Sequence, residues 1–367
     1  MKYYIISGEA SGDLHGSNLI RELHKLDAQA DVRCWGGDLM QAAGATLVKH
    51  YSKLAFMGFA EVVKNLPTIF RNIKFCKQDI LSFQPDVLVL IDYPGFNLRI
   101  AEWAKSKNFK VVYYISPQVW AWKENRVKKM KQYIDKMLVI LPFEKEYYQT
   151  KWNWEVEYVG HPLVEVVENW DTGYVIPDTG LGVIALLPGS RKQEIAKKLP
   201  IMLKVAESFP RYRFIVGKAP GQEDDFYRPF LSSYKNVSSV RNQTYALLSQ
   251  SKAALVTSGT ATLETALFGV PEVVCYKSSN ISYQIGKRLI KIKFISLVNL
   301  IMDKLVVKEL IQNELTTENL VRELTELLSN KERQQQLQED YKQLKNILSA
   351  GGHASANAAK SIYEFTS

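Results

Sequence analysis

The chain has 367 residues, 46% apolar and 23% charged, which excludes a disordered chain and exceeds a single ordinary core, since such cores stop growing near roughly 250–300 residues. Its formal charge of +9 calls for an anionic partner, and charge alone does not choose between nucleic acid, a phosphorylated substrate and an anionic membrane surface. Cys34, Cys76 and Cys275 are isolated and lack the paired spacing of a disulfide framework or a zinc site.

Met1-Lys2 runs straight into Tyr3-Tyr4-Ile5-Ile6, a buried-strand pattern without a signal peptide's cleavage site, so a cytoplasmic location is expected. No apolar run approaches the about 18 residues that span a bilayer. Strands are predicted near 2–7, 32–36, 86–92, 110–115 and 134–140, alternating with helical patterns. This is the signature of a parallel α/β sheet. Asp86-Val87-Leu88-Val89-Leu90-Ile91-Asp92 is apolar on both faces, as a central strand covered by helices must be. Asp92 then falls at the carboxyl end of that strand, where open α/β sheets place ligands.

A second series of strands is predicted near 182–188, 212–217, 236–240, 252–257 and 271–276, with helices over 316–365 broken at Gly351-Gly352. Two doubly wound, Rossmann-like domains facing a cleft are therefore expected. The first is expected over residues 1–165 and the second over 166–345, with 346–367 a last helix packing back on the first. Gly160-His161-Pro162 and Asn169 to Gly173 mark the hinge between them.

Three strand-to-helix turns carry candidate chemistry. Ser7-Gly8-Glu9-Ala10-Ser11-Gly12-Asp13 lacks the dinucleotide spacing, and its acids suit sugar hydroxyls better than a pyrophosphate. Glu9 and Asp13 are expected to point toward the cleft, with Ser11 beside them; an ordinary turn capped by Ser11 or Asp13 is the alternative. Leu187-Pro188-Gly189-Ser190-Arg191 offers free amides and a guanidinium to a diphosphate, or is a capped turn with a surface arginine. Ser258-Gly259-Thr260-Ala261 repeats the arrangement, and Glu264, one helical turn beyond Thr260, suits ribose hydroxyls. Two anion-receptive turns in one domain favour a nucleotide diphosphate over two simple caps.

In Asp92-Tyr93-Pro94-Gly95-Phe96-Asn97, Asp92 is a candidate general base for an attacking hydroxyl, with helix capping as the alternative and Glu9 as its catalytic neighbour. Ser116-Pro117-Gln118-Val119-Trp120-Ala121-Trp122 is dense in aromatics just after a strand, which suits stacking on sugar or acyl groups, with Ser116, Gln118 and Trp120 as candidate substrate-binding residues, or packing between domains. No Asp-x-Asp follows a strand, and Glu223-Asp224-Asp225 reads as a solvated helix start, so neither a metal nor another cofactor is expected. Cations alternate with large apolar residues around 56–76 and 287–295, a pattern suited to a membrane surface and acyl chains, or to amphipathic helices with a solvated basic face.

Taken in order, these motifs, with Leu141-Pro142-Phe143-Glu144, Gly160-His161-Pro162, Ser296-Leu297-Val298-Asn299-Leu300 and Val307-Lys308-Glu309-Leu310, resemble the lipid-A-disaccharide synthase family, glycosyltransferase family 19, over nearly the whole chain. The resemblance implies an inverting, metal-independent GT-B transferase. It implies UDP-2,3-diacylglucosamine as donor, 2,3-diacylglucosamine 1-phosphate as acceptor, and work at the cytoplasmic face of the inner membrane. It further implies that Asp92 is the base for the acceptor 6-hydroxyl, that Asn299 is an activity residue, and that Arg191 and Glu264 belong to the nucleotide site. Some members carry a second aspartate where this chain has Gly95, which removes that position as a base here. Homodimers with exchanged C-terminal elements occur in the family. A UDP-N-acetylglucosamine 2-epimerase, the transferase of the peptidoglycan lipid precursor and a basic nucleic-acid-binding protein are the rival readings. Motif order opposes the first two, and no nucleic-acid motif supports the third.

Overall fold

The computed structural model describes residues 1–53, 66–171, 173–177, 180–278, 283 and 292–367. Parts of the two basic-apolar segments, 56–65 and 287–291, lie outside them. Two compact units form. One comprises Met1–Pro162 with Leu348–Ser367, and the other Leu163–Ile347.

The first unit is built on seven parallel strands: β1 (Lys2–Ile6), β2 (Asp31–Gly36), β3 (Thr46–His50), β4 (Val87–Ile91), β5 (Lys110–Tyr114), β6 (Lys136–Val139) and β7 (Glu157–Tyr158). Their spatial order is β3-β2-β1-β4-β5-β6-β7. The alternation of side chains along a strand divides the core between the two faces. Leu88 and Leu90 join Tyr4, Ile6 and Tyr113 on one face; Val87, Val89 and Ile91 join Tyr3, Ile5 and Tyr114 on the other. All five β4 side chains are fully buried, and each contributes about 2 kcal/mol of transfer free energy. That burial holds β4 at the centre and fixes where Asp92 emerges.

The helices used below are α1 (Ala10–Leu26), α2 (Asp38–Ala42), α3 (Leu66–Phe83) and α4 (Pro94–Lys105). The helix Ala354–Thr366 closes this unit, burying Ala358, Ala359 and Ile362 against Leu19 and Leu23 of α1. Gly160, at φ +95, packs on the Gly351–Gly352 break; a Cβ on Gly160 would lie 2.8 Å from the Gly352 carbonyl.

Six parallel strands form the second unit: β8 (Gly182–Leu187), β9 (Tyr212–Lys218), β10 (Val237–Arg241), β11 (Ser251–Thr257), β12 (Glu272–Tyr276) and β13 (Lys308–Ile311). The order is β10-β9-β8-β11-β12-β13. In each unit strand order reverses at one point, between β1 and β4 in the first and between β8 and β11 in the second.

Candidate functional site

In the first unit the turns after β1 and β4 sit side by side at the reversal, because Ile6 pairs with Leu90 in the sheet. The buried amide of Asn97 ties them together, donating to the carbonyls of Ile6 at 3.3 Å, Ile91 at 3.2 Å and Asp92 at 2.8 Å. Tyr113 donates its hydroxyl to the Asp92 carbonyl at 2.5 Å. Asp92 and Tyr93 both adopt left-handed backbone, at φ 43° and 48°, a conformation that costs non-glycine residues free energy and persists only where neighbours enforce it. Gly8 is required for the same junction: a Cβ there would fall 2.3 Å from the Tyr93 ring.

Asp92 is half-buried. Burial, then the charge of Glu9, push its carboxyl up to about 7 against the opposing hydrogen bond from the Tyr93 amide. A carboxylate poised near neutrality suits general-base work. Glu9 is the N-cap of α1 but does not cap with its side chain, so its carboxylate stays available beside Asp92. Gly95 is exposed, with no atom within 4 Å of where a Cβ would sit.

The other predicted residues of this unit divide. Asp13 does not point into the site. Its buried carboxylate accepts from the amides of Gly37 at 2.7 Å, Leu39 at 3.2 Å and Met40 at 3.1 Å, and so caps α2. Ser116 is likewise turned inward, its buried hydroxyl 2.6 Å from the Tyr148 hydroxyl and 3.0 Å from the Pro117 carbonyl. Ser11 and Gln118 are exposed. Trp120 is half-buried, with its indole N–H donating to Glu144 at 3.2 Å and its ring edge-on to Phe143. Glu144 is buried, and burial pushes its carboxyl up to about 7.

In the second unit the equivalent reversal brings together the turns after β8 and β11, where Leu187 pairs with Val256. Gly189 at φ 116° and Gly259 at φ 135° occupy the left-handed region that favours glycine. Each turn opens a helix, α5 (Lys192–Val205) after Arg191 and α6 (Thr260–Leu267) after Gly259. Ser190, Arg191, Gly259 and Thr260 are exposed and Ser258 and Ala261 half-buried, so the amides at both helix starts are open to an anion. Ser258 donates its hydroxyl to the Ile295 carbonyl at 2.9 Å, and Arg191 pairs with Glu194 at 3.4 Å. Glu264 is half-buried and accepts the Tyr245 hydroxyl at 2.8 Å. Burial raises its carboxyl above the usual range.

Asn299 is not placed to touch a reactant. It is fully buried, and its amide is engaged on both sides. The nitrogen donates to the Val307 carbonyl at 2.8 Å and to Glu309 at 2.9 Å, and the oxygen accepts from the amides of Val306 at 2.8 Å and Val307 at 2.9 Å. Lys198 was not anticipated. It lies on α5, is 2% exposed, and donates to the Thr257 hydroxyl at the end of β11. The signal was present in the sequence: Lys198 occupies the stripe of Ile195, Leu199 and Met202, three and four residues apart along one helix face. Glu309, Glu144 and Tyr93 also support these turns, and all three sit inside the motifs singled out above.

A family model described as lipid-A-disaccharide synthetase matches residues 3–364. Among curated relatives, the lipid-A-disaccharide synthase of Geobacter metallireducens is 38% identical over 358 residues, covering 95% of this chain and 93% of that one. The synthase of Nitrosococcus oceani is 37% identical over 372 residues, covering 99% and 94%. Among solved structures, UDP-GlcNAc 2-epimerase from Neisseria meningitidis bound to UDP-GlcNAc superposes with a TM-score of 0.68 at 16% identity, covering 100% of this chain and 99% of that one. The calicheamicin glycosyltransferase CalG4 does so with a TM-score of 0.62 at 15% identity, covering 99% and 97%. These two share the fold.

Proposed function

The chain belongs to the lipid-A-disaccharide synthase family of GT-B glycosyltransferases, and from that premise we propose how its residues carry the transfer. The donor is UDP-2,3-diacylglucosamine and the acceptor 2,3-diacylglucosamine 1-phosphate. Asp92 takes the proton of the acceptor 6-hydroxyl, and the oxygen attacks the anomeric carbon as its bond to UDP breaks. The products are the β-1,6-linked disaccharide 1-phosphate, with inverted configuration, and UDP. Glu9 keeps Asp92 basic enough to accept that proton. Ser190, Arg191 and the amides from Gly189 to Arg191 and Ser258 to Ala261 receive the departing diphosphate, a role for fixed dipoles and charge. Glu264 takes the ribose hydroxyls. Ser11, Gln118 and Trp120 line the acceptor side.

The observation that carries this reading is Asp92: a carboxylate raised to about 7, at the carboxyl end of a central strand, on the turn next to Glu9. Lipid substrates also require access to a bilayer. Among the described residues no helix is long and apolar enough to cross one, and α3 presents Phe70, Arg71, Lys74 and Phe75 together as an exposed face. We assign that face to docking on the anionic cytoplasmic surface of the inner membrane. A homodimer with exchanged C-terminal elements is a further expectation from the family, readable as mass by light scattering.

The test is UDP release by purified protein without added metal, from the diacylated donor with and without acceptor, alongside Asp92→Ala. Acceptor-dependent release with disaccharide formed, reduced by about 10²-fold or more in Asp92→Ala, supports the reading. Release without acceptor, or epimerisation of UDP-N-acetylglucosamine with the diacylated donor untouched, overturns it.

A further inference from the structure

Lys198 poses a physical problem that the nucleotide reading of the second unit resolves. The residue is 2% exposed, and the hydrogen-bond partner of its ammonium is the neutral hydroxyl of Thr257. Among the described residues it forms no ion pair with a carboxylate. Glu194, whose charge favours the ammonium most, pairs instead with Arg191 at 3.4 Å. Burying a cation without a direct ion pair is costly, and burial lowers the pKa of Lys198 below the usual lysine range although the charge of Glu194 opposes the shift.

The position of the ammonium is specific. Thr257 is the last residue of β11 and leads into Ser258-Gly259, so the hydrogen bond places Lys198 directly under the second turn. It lies equally under the first, since a Cβ on Gly189 would be 3.5 Å from Nζ. These turns belong to adjacent strands, β8 and β11, at the reversal of strand order. One buried positive charge therefore sits beneath both rows of open amides.

We infer that Lys198 is the buried counter-charge of the bound diphosphate, a positioning residue that acts from beneath the two turns. The inference rests on the nucleotide reading of these turns. When the diphosphate seats on the amides, the ammonium gains an anion closer than the Glu194 carboxylate, with which it forms no ion pair. As the glycosidic bond breaks and negative charge accumulates on UDP, a charge already fixed and desolvated stabilises the leaving group without reorganisation. The arrangement also accounts for a lysine on an otherwise apolar helix face.

The experiment compares UDP with uridine, which lacks the phosphates, by calorimetric titration of wild type, Lys198→Met and Thr257→Val, with the melting temperature of each. The wild type is expected to prefer UDP strongly. Lys198→Met should lower UDP affinity by about tenfold or more and leave uridine affinity within about twofold, with a melting temperature no lower than wild type because an unpaired buried charge has gone. Thr257→Val breaks the hydrogen bond and keeps the charge, so it should retain most of the preference. Lys198→Gln serves as the uncharged second variant if Lys198→Met folds poorly. A Lys198 variant that folds and keeps the wild-type ratio of UDP to uridine affinity overturns the inference, as does Thr257→Val matching Lys198→Met. Absence of UDP binding by wild type overturns the nucleotide reading itself and this inference with it.

Discussion

The side-chain amide of Asn299 donates to Glu309 across 2.9 Å, and through that carboxylate it reaches the Ser258 turn after β11 without touching it. Glu309 accepts from the amides of Ile295 and Ser296, and the Ile295 carbonyl in turn holds the Ser258 hydroxyl. An influence of Asn299 on activity then follows from position. Asn299→Ala leaves the Val306 and Val307 amides and one face of Glu309 buried without partners, at about 3 kcal/mol of stability. The expected result is a lower denaturation midpoint together with weaker UDP binding. Lost activity with an unchanged midpoint would show instead that Asn299 meets a reactant.

As the proposed base, Asp92 is expected to set the pH dependence through its titration. It must be ionised to accept a proton, so kcat/KM should rise about tenfold per pH unit below 7 and flatten above. Glu9 raises the Asp92 pKa, so Glu9→Gln should move the acidic limb to lower pH. The same shift has the opposite sign for stability. A carboxyl raised from 3.8 to about 7 on folding contributes stability that is present below its unfolded pKa and lost as pH rises through about 7. Asp92→Asn is therefore expected to raise the melting temperature more at pH 8 than at pH 5. Equal effects at both values would mean that burial does not set this group's titration.

Gly8→Ala drives a methyl into the Tyr93 ring, which must shift the turn carrying Asp92. We expect a loss of about 1–3 kcal/mol and at least a tenfold fall in kcat. Tyr93→Gly opens the space and removes a left-handed non-glycine residue, so Gly8→Ala with Tyr93→Gly should recover part of both. A double variant no better than Gly8→Ala would place the damage elsewhere.

The exposed face of α3 is testable by flotation with anionic vesicles. Phe70→Asp with Phe75→Asp should sharply reduce co-flotation at low salt and leave UDP affinity unchanged, since both variants add like charge to an anionic surface and remove apolar contact. Undiminished flotation would assign docking to another surface.

The strands that were legible in the sequence are those buried on both faces, such as Val87 to Ile91, where one apolar run leaves a single interpretation. The missed strands β3, β7 and β13 lie at sheet edges, and they carry Lys49, His50, Glu157, Lys308 and Glu309. Edge strands need only one protected side, so their pattern fades into that of loops. The glycine turns were legible for a similar reason, because Gly189 and Gly259 are demanded by local backbone geometry. The inward turn of Asp13 and Ser116 and the burial of Asn299 were not legible, because their partners are backbone groups or side chains supplied by other elements, which local sequence does not display. Lys198 reads as one of a pair of surface lysines until the helix face beneath it is counted.

The contact of Gly160 with Gly351 and Gly352 carries a consequence for how the polypeptide is made. The first unit is discontinuous: residues 1–162 leave the ribosome before the second unit, but Ala358, Ala359 and Ile362, which cover Leu19 and Leu23, emerge only after it. The intervening unit is continuous from Leu163 to Ile347 and is able to finish during synthesis. The half of the protein that begins first therefore completes last, with an apolar groove along α1 bare throughout elongation. Nascent chains stalled before residue 354 should engage chaperones through that groove, and release of the final helix should end the engagement.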